Sequence, residues 1–424
     1  MFLSRSPFKV SHISRLDSLS MAENRSFWRA LEAIGRGVMA PISLLAMTCL
    51  VIVVAPTSEN RSADASAFLT RTFSNAGTGA AAGTTNNSTG TLGAAPTLSN
   101  GFYEWTVPAT GRYRIKADGA QGGIRTDLAY TGGKGASVTA EWNLTAGQTL
   151  RIGVGHQGLS NTNAGGGGGA SGVVATSGSP STYLVVAGGG GAGGWSYHGN
   201  PGLTTTAGAD SGGVLGGTNG LGGQAGWYSG DCGIGGGGGG VLGNGSSNNG
   251  ASNTPGASNT LGGRSYANGG LGSTSAVCGS GGNGGFGIAG GGMGGYGGGG
   301  GGGYSGGAGG QYRYGADVRS GGGGGGSYAA GSLTSSMTAG ARSGHGVVEI
   351  TLLAPAPTTF AATVVSPTNV SSLTYNVVFS EDVTGLDTSD FTVSGTSSGW
   401  AVTGLTGSGT TYSLSLSSSS PTTE

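Results

Sequence analysis

The sequence predicts an all-β protein that contains a large glycine-rich insertion. Between residues 102 and 155, short runs alternate apolar and polar residues, which is the pattern of half-buried strands. No segment after residue 67 shows the period of an amphipathic helix. Glycine supplies 99 of the 424 residues, about three times its average use, and is densest from residue 188 to residue 326.

The predicted strands follow one another with short turns between them. Tyr113, Ile115 and Ala117, for example, fall on one face of their strand. The same alternation predicts strands over residues 102–107, 112–117, 137–144 and 150–155. The turns between them contain Pro, Gly and Thr.

Strands also bracket the glycine tract. Residues 183–194 begin as an apolar strand and run directly into glycine, and residues 344–353 return to an apolar strand. The sequence therefore predicts one β domain over residues 101–353, with the glycine inserted between its ends.

Whether the glycine tract folds is a question of backbone physics. Polyglycine loses the largest backbone entropy on folding and offers no side chains to a core, so disorder is the default expectation. A threefold extended helix nevertheless lets glycine backbones approach closely and bond sideways. Asn283, Phe286 and Ala289 are spaced by three, as such a helix requires. We therefore expect a bundle of polyglycine-II helices, braced by the flanking strands.

The N-terminus carries the features of an export signal. Residues 38–55 are eighteen residues without a charge, and Arg25, Arg29 and Arg36 stand shortly before them. Small residues follow, with cleavage expected near Ala65 or Ala67. Residues 1–67 are thus predicted to be a signal peptide, whose true start is Met1 or Met21. A retained membrane anchor is the alternative, because eighteen residues are just enough to span a bilayer.

Export makes the cysteines informative. Cys49 lies within the apolar run, which leaves Cys232 and Cys278 for the rest of the chain. An oxidising compartment permits a disulfide between these two, and closing a loop of that length stabilises a fold by about 4 kcal/mol. Two unpaired thiols remain the alternative.

Composition defines the remaining boundaries. Residues 68–100 are rich in Ser, Thr, Asn and Gly and are predicted to be a linker. Residues 354–358 form a Pro-rich linker. Residues 359–424 contain short strands at regular spacing, which favours a second, smaller β-sandwich.

The glycine-rich domain resembles a known extracellular region. "WTVPATGRYRIKADGAQGG", "GGKGASVTAEWNLTAGQTLRIGVGHQG", "YLVVAGGGG" and "GHGVVEI" occur in the order found in the glycine-rich region of the anaplastic lymphoma kinase and leukocyte tyrosine kinase receptors. The resemblance covers about residues 101–353. It implies a jelly-roll sandwich similar to tumour-necrosis-factor folds, with packed glycine helices. In the receptors this region binds a protein ligand.

This chain also departs from those receptors. It has no kinase signature and no membrane span after the domain, and it has fewer cysteines than the receptor region. No ligand-contacting residue is carried over from the receptors.

The C-terminal segment resembles a different family. "YNVVFSEDVTGLDTSDFTVSGT" is similar to the immunoglobulin-like modules repeated in large bacterial surface proteins. The module looks truncated, which suggests a fragment of a longer surface protein.

Motifs for catalysis and cofactors are weak. "GYSGG" at residues 303–307 has glycine where a nucleophile elbow needs a strand and a helix, and "ADSGG" at residues 209–213 lacks a protease-type histidine segment. Metal-binding spacings such as H-E-x-x-H are absent. After Ala67 there are 11 basic and 13 acidic residues, so no basic surface for nucleic acid is expected. We expect no enzyme activity, no cofactor and no metal.

Aromatic residues within the glycine are the candidate contacts. Trp195, Tyr197, Trp227 and Tyr228 lie in glycine-rich surroundings. Rigid aromatics suit adhesion or sugar stacking. The alternative is that the aromatics of this region form a wall between the glycine bundle and the sandwich.

The function predicted from the sequence is non-enzymatic. We expect a secreted or cell-surface bacterial protein with a glycine-rich adhesion or display domain on an immunoglobulin-like stalk. A specific module binding an extracellular protein or glycan is one alternative, and a structural cell-wall or matrix component is another. Contact with a membrane is expected only through the N-terminal segment, if that segment is not cleaved.

Overall fold

The structure is a computed structural model. It describes residues 51–54, 69–74, 77, 79–177, 181–226, 234–247, 261–274, 282–292, 295–313, 318–363, 370–383, 385–394 and 399–419. Of residues 51–54, 312–313 and 318–319 only the backbone is described. These residues contain no α-helix, only two short 3-10 turns, which confirms the all-β prediction.

The strands are numbered in chain order. They are β1 Val51–Val54, β2 Thr70–Ser74, β3 Thr89–Gly90, β4 Thr97–Ser99, β5 Phe102–Thr106, β6 Gly111–Asp118, β7 Gly135–Leu144, β8 Thr149–Gly153, β9 Ser171–Ala175, β10 Thr182–Ala187, β11 Tyr312–Arg313, β12 Val318–Arg319, β13 Thr334–Arg342, β14 Val347–Leu352, β15 Pro357–Ala362, β16 Ser372–Val383, β17 Phe391–Ser394 and β18 Trp400–Ser418.

Two antiparallel sheets form the main β-sandwich. One has five strands in the order β10-β9-β8-β5-β4, and the other has six in the order β13-β7-β6-β14-β2-β3. In β6, Tyr113, Ile115 and Ala117 are buried, whereas Arg114 and Lys116 are exposed. This alternation is the reason that the sequence predicts the strand, because successive side chains of a strand point to opposite faces.

Apolar side chains from both sheets form one core. Trp105 and Ile152 come from the five-stranded sheet, and Phe73, Ile115 and Val348 come from the six-stranded sheet. All five are at most 1% exposed. The ring centroids of Phe73 and Trp105 are 6.2 Å apart in an edge-to-face arrangement. The core is therefore closed by aromatic contacts between the sheets.

The segment expected as a linker contributes to this sandwich. Within residues 68–100, β2 pairs on one side with β14 and on the other with β3. Phe73 of β2 is fully buried. The strand has few apolar residues, so its composition resembles that of a linker, but its backbone bonds to two neighbours. The β domain thus begins near residue 69.

A smaller antiparallel sheet follows at the C-terminus. It has the order β15-β16-β18, and its buried face includes Val377, Phe379, Tyr412 and Leu414. β15 begins at Pro357, within the expected linker of residues 354–358. The carboxylate of Glu381 accepts a hydrogen bond of 3.0 Å from the backbone N–H of Arg112 in the main sandwich.

Candidate functional site

The glycine segment that leaves β10 bonds sideways to other segments through every amide from residue 189 to residue 194. Residues three apart donate to the same neighbouring segment. The donor–acceptor pairs are Gly189–Gly302 and Ala192–Gly299, Gly190–Ala120 and Gly193–Gly123, and Gly191–Asn200 and Gly194–Tyr197, with N···O distances of 2.8–3.0 Å.

The carbonyl oxygens of the same segment accept bonds with the same period. The donor–acceptor pairs are Gly325–Gly189 and Gly322–Ala192, Ala136–Gly188 and Gly133–Gly191, and Gly168–Gly190 and Gly165–Gly193, with N···O distances of 2.8–2.9 Å. Residues 188–194 therefore have six neighbouring segments, three that accept from them and three that donate to them. All seven residues are buried. We call this set of laterally bonded segments the glycine lattice.

A second segment of the lattice follows the same rule. Residues 299 and 302 donate to residues 165 and 168, and residues 300 and 303 donate to residues 236 and 239. The lattice is thus a repeating arrangement of extended segments with a period of three residues. Its bonds replace both the side-chain core and the ladder hydrogen bonds of an ordinary sheet.

Close approach of backbones is the reason that this lattice needs glycine. A Cβ atom at Gly188, Gly189, Gly190 or Gly191 would lie below 3.0 Å from a carbonyl oxygen of another segment, a separation that Cβ atoms do not show in proteins. None of these glycines has a φ between +20° and +160°. Glycine is therefore used here for its small size and not for a left-handed backbone.

An aromatic layer joins the lattice to the outer face of the five-stranded sheet. Phe102 of β5 packs against Tyr266 and Phe286 of the glycine region, with centroid distances of 5.4 and 5.2 Å. Tyr304 stacks on Tyr328 at 4.4 Å. Tyr266 and Tyr304 thus lie between the glycine segments and the sheet. Burial raises the pKa of the Tyr266 hydroxyl.

A buried histidine, His156, lies between Gly79 and the aromatic layer. His156 is 1% exposed, and its Nδ1 lies 3.1 Å from the carbonyl oxygen of Gly79. A carbonyl oxygen only accepts, so Nδ1 carries the proton and donates. The ring packs against Phe286 and His345, with centroid distances of 5.1 and 6.0 Å. Burial lowers the pKa of His156 to about 4.

Loops gather where residues 188–194 end, away from β10. Gly193 donates to Gly123, so the residues after Gly123 lie at this end. Trp195 donates its backbone N–H to Tyr296, at 2.9 Å. We define the distal face by the residues at this end whose side chains meet one another or solvent, namely Arg125, Asp127, Tyr130, Trp195, Tyr197, His198 and Tyr296.

Arg125 organises the distal face. Its Nε and Nη2 atoms donate to the two carboxylate oxygens of Asp127, at 2.6 and 2.7 Å. Its guanidinium carbon lies 3.7 Å from the ring centre of Trp195, and Nη1 donates to the Trp195 carbonyl. Arg125 is 1% exposed, whereas the Asp127 side chain is 40% exposed. A buried cation is thus neutralised by a carboxylate that remains open to solvent.

Electrostatics and ring contacts hold these groups in place. Hydrogen bonds from Arg125 hold the pKa of Asp127 below its usual range. The ring centroids of Trp195 and Tyr296 are 4.6 Å apart in an edge-to-face arrangement. His198 Nδ1 accepts from the Thr131 N–H at 2.9 Å, which leaves the ring proton of the neutral imidazole on Nε2.

The structure places two of the candidate aromatics on this face. Trp195 is partly buried against Arg125 and Tyr296, and Tyr197 is 54% exposed. Trp227 and Tyr228 lie outside the described residues, as do Cys232, Cys278, Ala65 and Ala67. Gly226 donates to Gly235, and Gly235 donates to Gly310. These bonds connect the segment before Trp227 to the lattice.

Arg125, Asp127, Tyr130 and His198 are not predicted from the sequence. The available signal is the Arg-x-Asp pair at residues 125–127, because charged residues are only 8% of the chain and glycine surrounds this pair. Its connection to Trp195 spans 70 residues, which no local pattern reveals.

Neither comparison with known proteins nor the arrangement of possible metal ligands assigns a role to this site. The sequence matches no protein-family model, and no curated protein is significantly similar to it. In the part of the chain that the structure describes, no three His, Cys, Asp or Glu side chains gather closely enough to hold a metal ion. No helix among those residues has the length and hydropathy needed to cross a bilayer.

Proposed function

We propose that this chain is a secreted or cell-surface bacterial protein whose glycine-rich domain is a rigid, non-enzymatic adhesion or display head. The observation that carries the proposal is the distal face, where an exposed Tyr197 and a partly buried Trp195 stand at the end of the glycine lattice. Rigid aromatics give contact area at a low cost in conformational entropy.

The lattice supports the rigidity of the head. Six neighbouring segments bond to residues 188–194, and the period of three residues is that of polyglycine-II helices. The two antiparallel sheets over one core are what a jelly roll with a glycine insertion requires. A fixed lattice holds the distal loops in one geometry, so that little entropy is lost on binding.

The C-terminal part supports the role of a stalk. Its antiparallel strands β15, β16 and β18 are compatible with the immunoglobulin-like module expected from the sequence. The hydrogen bond from Arg112 to Glu381 connects this part to the main sandwich. Such a contact would help to fix the head to the stalk.

The central test is binding by residues 68–424 to an array of extracellular proteins and glycans. We expect specific capture that Tyr197→Ala weakens about tenfold, or about 1.4 kcal/mol. Leu221→Ala is the matched control, because Leu221 is 52% exposed but lies outside the distal face. Absence of any binding would contradict adhesion and favour the structural cell-wall or matrix role.

Export and oxidation are tested separately. N-terminal sequencing of the mature protein is expected to begin just after Ala65 or Ala67, whereas an intact N-terminus would favour a membrane anchor. Mass measurement after thiol alkylation of the native protein is expected to leave Cys232 and Cys278 unlabelled. Labelling of both would contradict the disulfide.

A further inference from the structure

We propose that the distal face binds a neutral oligosaccharide, with sugar hydroxyls donating to Asp127 and a sugar ring packing on Tyr197 or on the open part of Trp195. This inference rests on the proposed function and names the chemical class of its partner. Four features of the face carry it, namely its charge balance, its acceptor geometry, its aromatic surface and its size.

Charge balance favours a neutral partner. Among the residues that define the distal face, Arg125 carries the positive charge. Its guanidinium donates hydrogen bonds to Asp127 and to the backbone carbonyls of Thr162 and Trp195. The guanidinium is 1% exposed and already bonded to a carboxylate, so it is not accessible to a phosphate, sulfate or carboxylate of a ligand. An anionic glycan therefore gains nothing from Arg125.

The acceptor geometry fits sugar hydroxyls. Each oxygen of Asp127 accepts one bond from Arg125, and the backbone N–H groups of Asp127 and Leu128 also donate to this carboxylate. The carboxylate is partly exposed and is held in a fixed plane by the two-pronged bond to Arg125. Hydrogen bonds to a charged acceptor are the stronger kind, and adjacent hydroxyls on a sugar ring supply two donors for one carboxylate.

Aromatic surface stands next to this acceptor. The Arg125 guanidinium contacts both Asp127 and the Trp195 ring, so these two side chains are neighbours. Tyr197 follows two residues later and is 54% exposed. The Nε2–H of the exposed His198 adds a donor. The C–H face of a sugar ring packs on an aromatic ring, and its hydroxyls bond to donors and acceptors beside that ring. The distal face offers both kinds of contact.

The size of the exposed apolar surface favours a sugar over a protein. Among the described residues of this end, Tyr197 and Leu128 are the large apolar side chains that are more than half exposed, at 54% and 58%. A stable protein–protein interface buries about 800 Å² on each partner, which needs about 20 or more residues. One phenol ring, one leucine and one carboxylate match the footprint of one or two sugar rings.

The test is an array of neutral oligosaccharides of glucose, galactose, mannose and N-acetylglucosamine, with heparin fragments and extracellular proteins as separate arms. Residues 68–424 are expected to capture a neutral oligosaccharide. Titration with that oligosaccharide is expected to give a Kd that changes less than about twofold between about 0.15 M and about 1 M NaCl, because the sugar is uncharged and Asp127 is already paired with Arg125.

Variants assign the binding to this face. Tyr197→Ala is expected to weaken the captured sugar about tenfold at an unchanged melting temperature, Tyr197→Phe to retain most of the affinity, and Leu221→Ala to have no effect. Asp127→Asn is expected to weaken binding further, and circular dichroism shows whether that variant is folded. An affinity that Tyr197→Ala leaves unchanged would overturn the inference.

The arms separate this inference from the proposed function. Capture of only a protein or only heparin fragments would overturn the neutral-sugar assignment and leave the adhesion head standing. Capture of nothing in any arm would overturn both.

Discussion

The sandwich core and the glycine lattice bury their residues by opposite means. In the sandwich, Trp105, Ile152 and Phe73 fill the space between two sheets with apolar side chains. In the lattice, residues 188–194 are equally buried but contribute almost no side chain, and backbone hydrogen bonds hold six neighbours at close range. One region is stabilised by apolar area and the other by amide pairing.

This difference predicts opposite responses to mutation. The sandwich loses stability when a side chain is removed, since a cavity is left behind. The lattice loses stability when a side chain is added, since no space exists for it. Each lattice hydrogen bond contributes only about 1 kcal/mol net, against the large backbone entropy of glycine. The lattice should therefore depend on the sandwich and the aromatic layer as a rigid frame.

The largest expected effect tests that dependence. Trp105→Ala should lower the free energy of unfolding by about 4 kcal/mol, because it empties a fully buried site. Urea unfolding, followed by aromatic fluorescence and by amide exchange of lattice glycines, should show both regions unfolding together. Separate transitions would mean that the lattice does not depend on the sandwich. Tyr197→Ala, at an exposed position, should change stability by less than about 0.5 kcal/mol.

Adding one methyl group to the lattice is the converse test. Gly190→Ala should cost about 3 kcal/mol, because its Cβ would collide with the Gly133 carbonyl oxygen. Gly404→Ala is the matched control in β18, where the nearest atom to an added Cβ is the Ser415 Cβ at 3.7 Å. That control should change stability by less than about 1 kcal/mol, as measured by urea unfolding. Equal costs at both positions would contradict the close-packed lattice.

Acid should weaken the joint between the two regions. The pKa of His156 is about 4 in the folded state and 6.5 when unperturbed, so the unfolded state binds more protons between these values. Stability should fall by about 2 to 3 kcal/mol as pH drops from about 6.5 to about 4. His345 faces His156 and has its pKa lowered by burial, which adds in the same direction, and Arg342 donates to the His345 carbonyl.

The histidine assignment has its own control. His156→Gln keeps a donor for the Gly79 carbonyl but removes the titrating ring. Urea unfolding of this variant at several pH values should show a flatter dependence between about pH 6.5 and about pH 4. An unchanged slope would assign the acid sensitivity to other groups.

The smallest effect is expected at the distal face. Trp195→Ala should cost about 1 to 2 kcal/mol, because it removes the ring under the Arg125 guanidinium and the contact with Tyr296. Trp195→Phe should recover part of this loss. Equilibrium unfolding provides the measurement, and a cost above that of Gly190→Ala would place the distal face among the elements that hold the lattice together.

The strands with strong alternation are those that the sequence predicts well. The expected strands at residues 112–117 and 137–144 lie within β6 and β7, and the one at residues 344–353 contains β14. β13 was not predicted, because Met337 is its one large apolar residue and most of its side chains are exposed. β13 is held by its pairing with β7, from Thr334↔Glu141 onward. Pairing of this kind leaves no period in the strand itself.

The candidate site was only partly predictable for a related reason. Trp195 and Tyr197 are visible because aromatic residues are conspicuous in glycine. Their neighbours Arg125 and Asp127 come from a different loop, brought close by the bond from Gly193 to Gly123. Glycines carry no side chain to encode which segment lies beside which, so no pattern in the tract indicates these neighbours.

The sequence alone determined the all-β class, because alternation along a strand depends only on adjacent residues and their two faces. It also determined that the glycine tract is able to pack closely, since a residue without Cβ leaves the backbone accessible. Only the tertiary structure decided which six segments surround residues 188–194 and which loops meet at the distal face. The hydrogen bonds that hold these neighbours together use backbone amides and carbonyls, which do not differ between residues. Which segments pair is therefore determined by the strands at the ends of each segment.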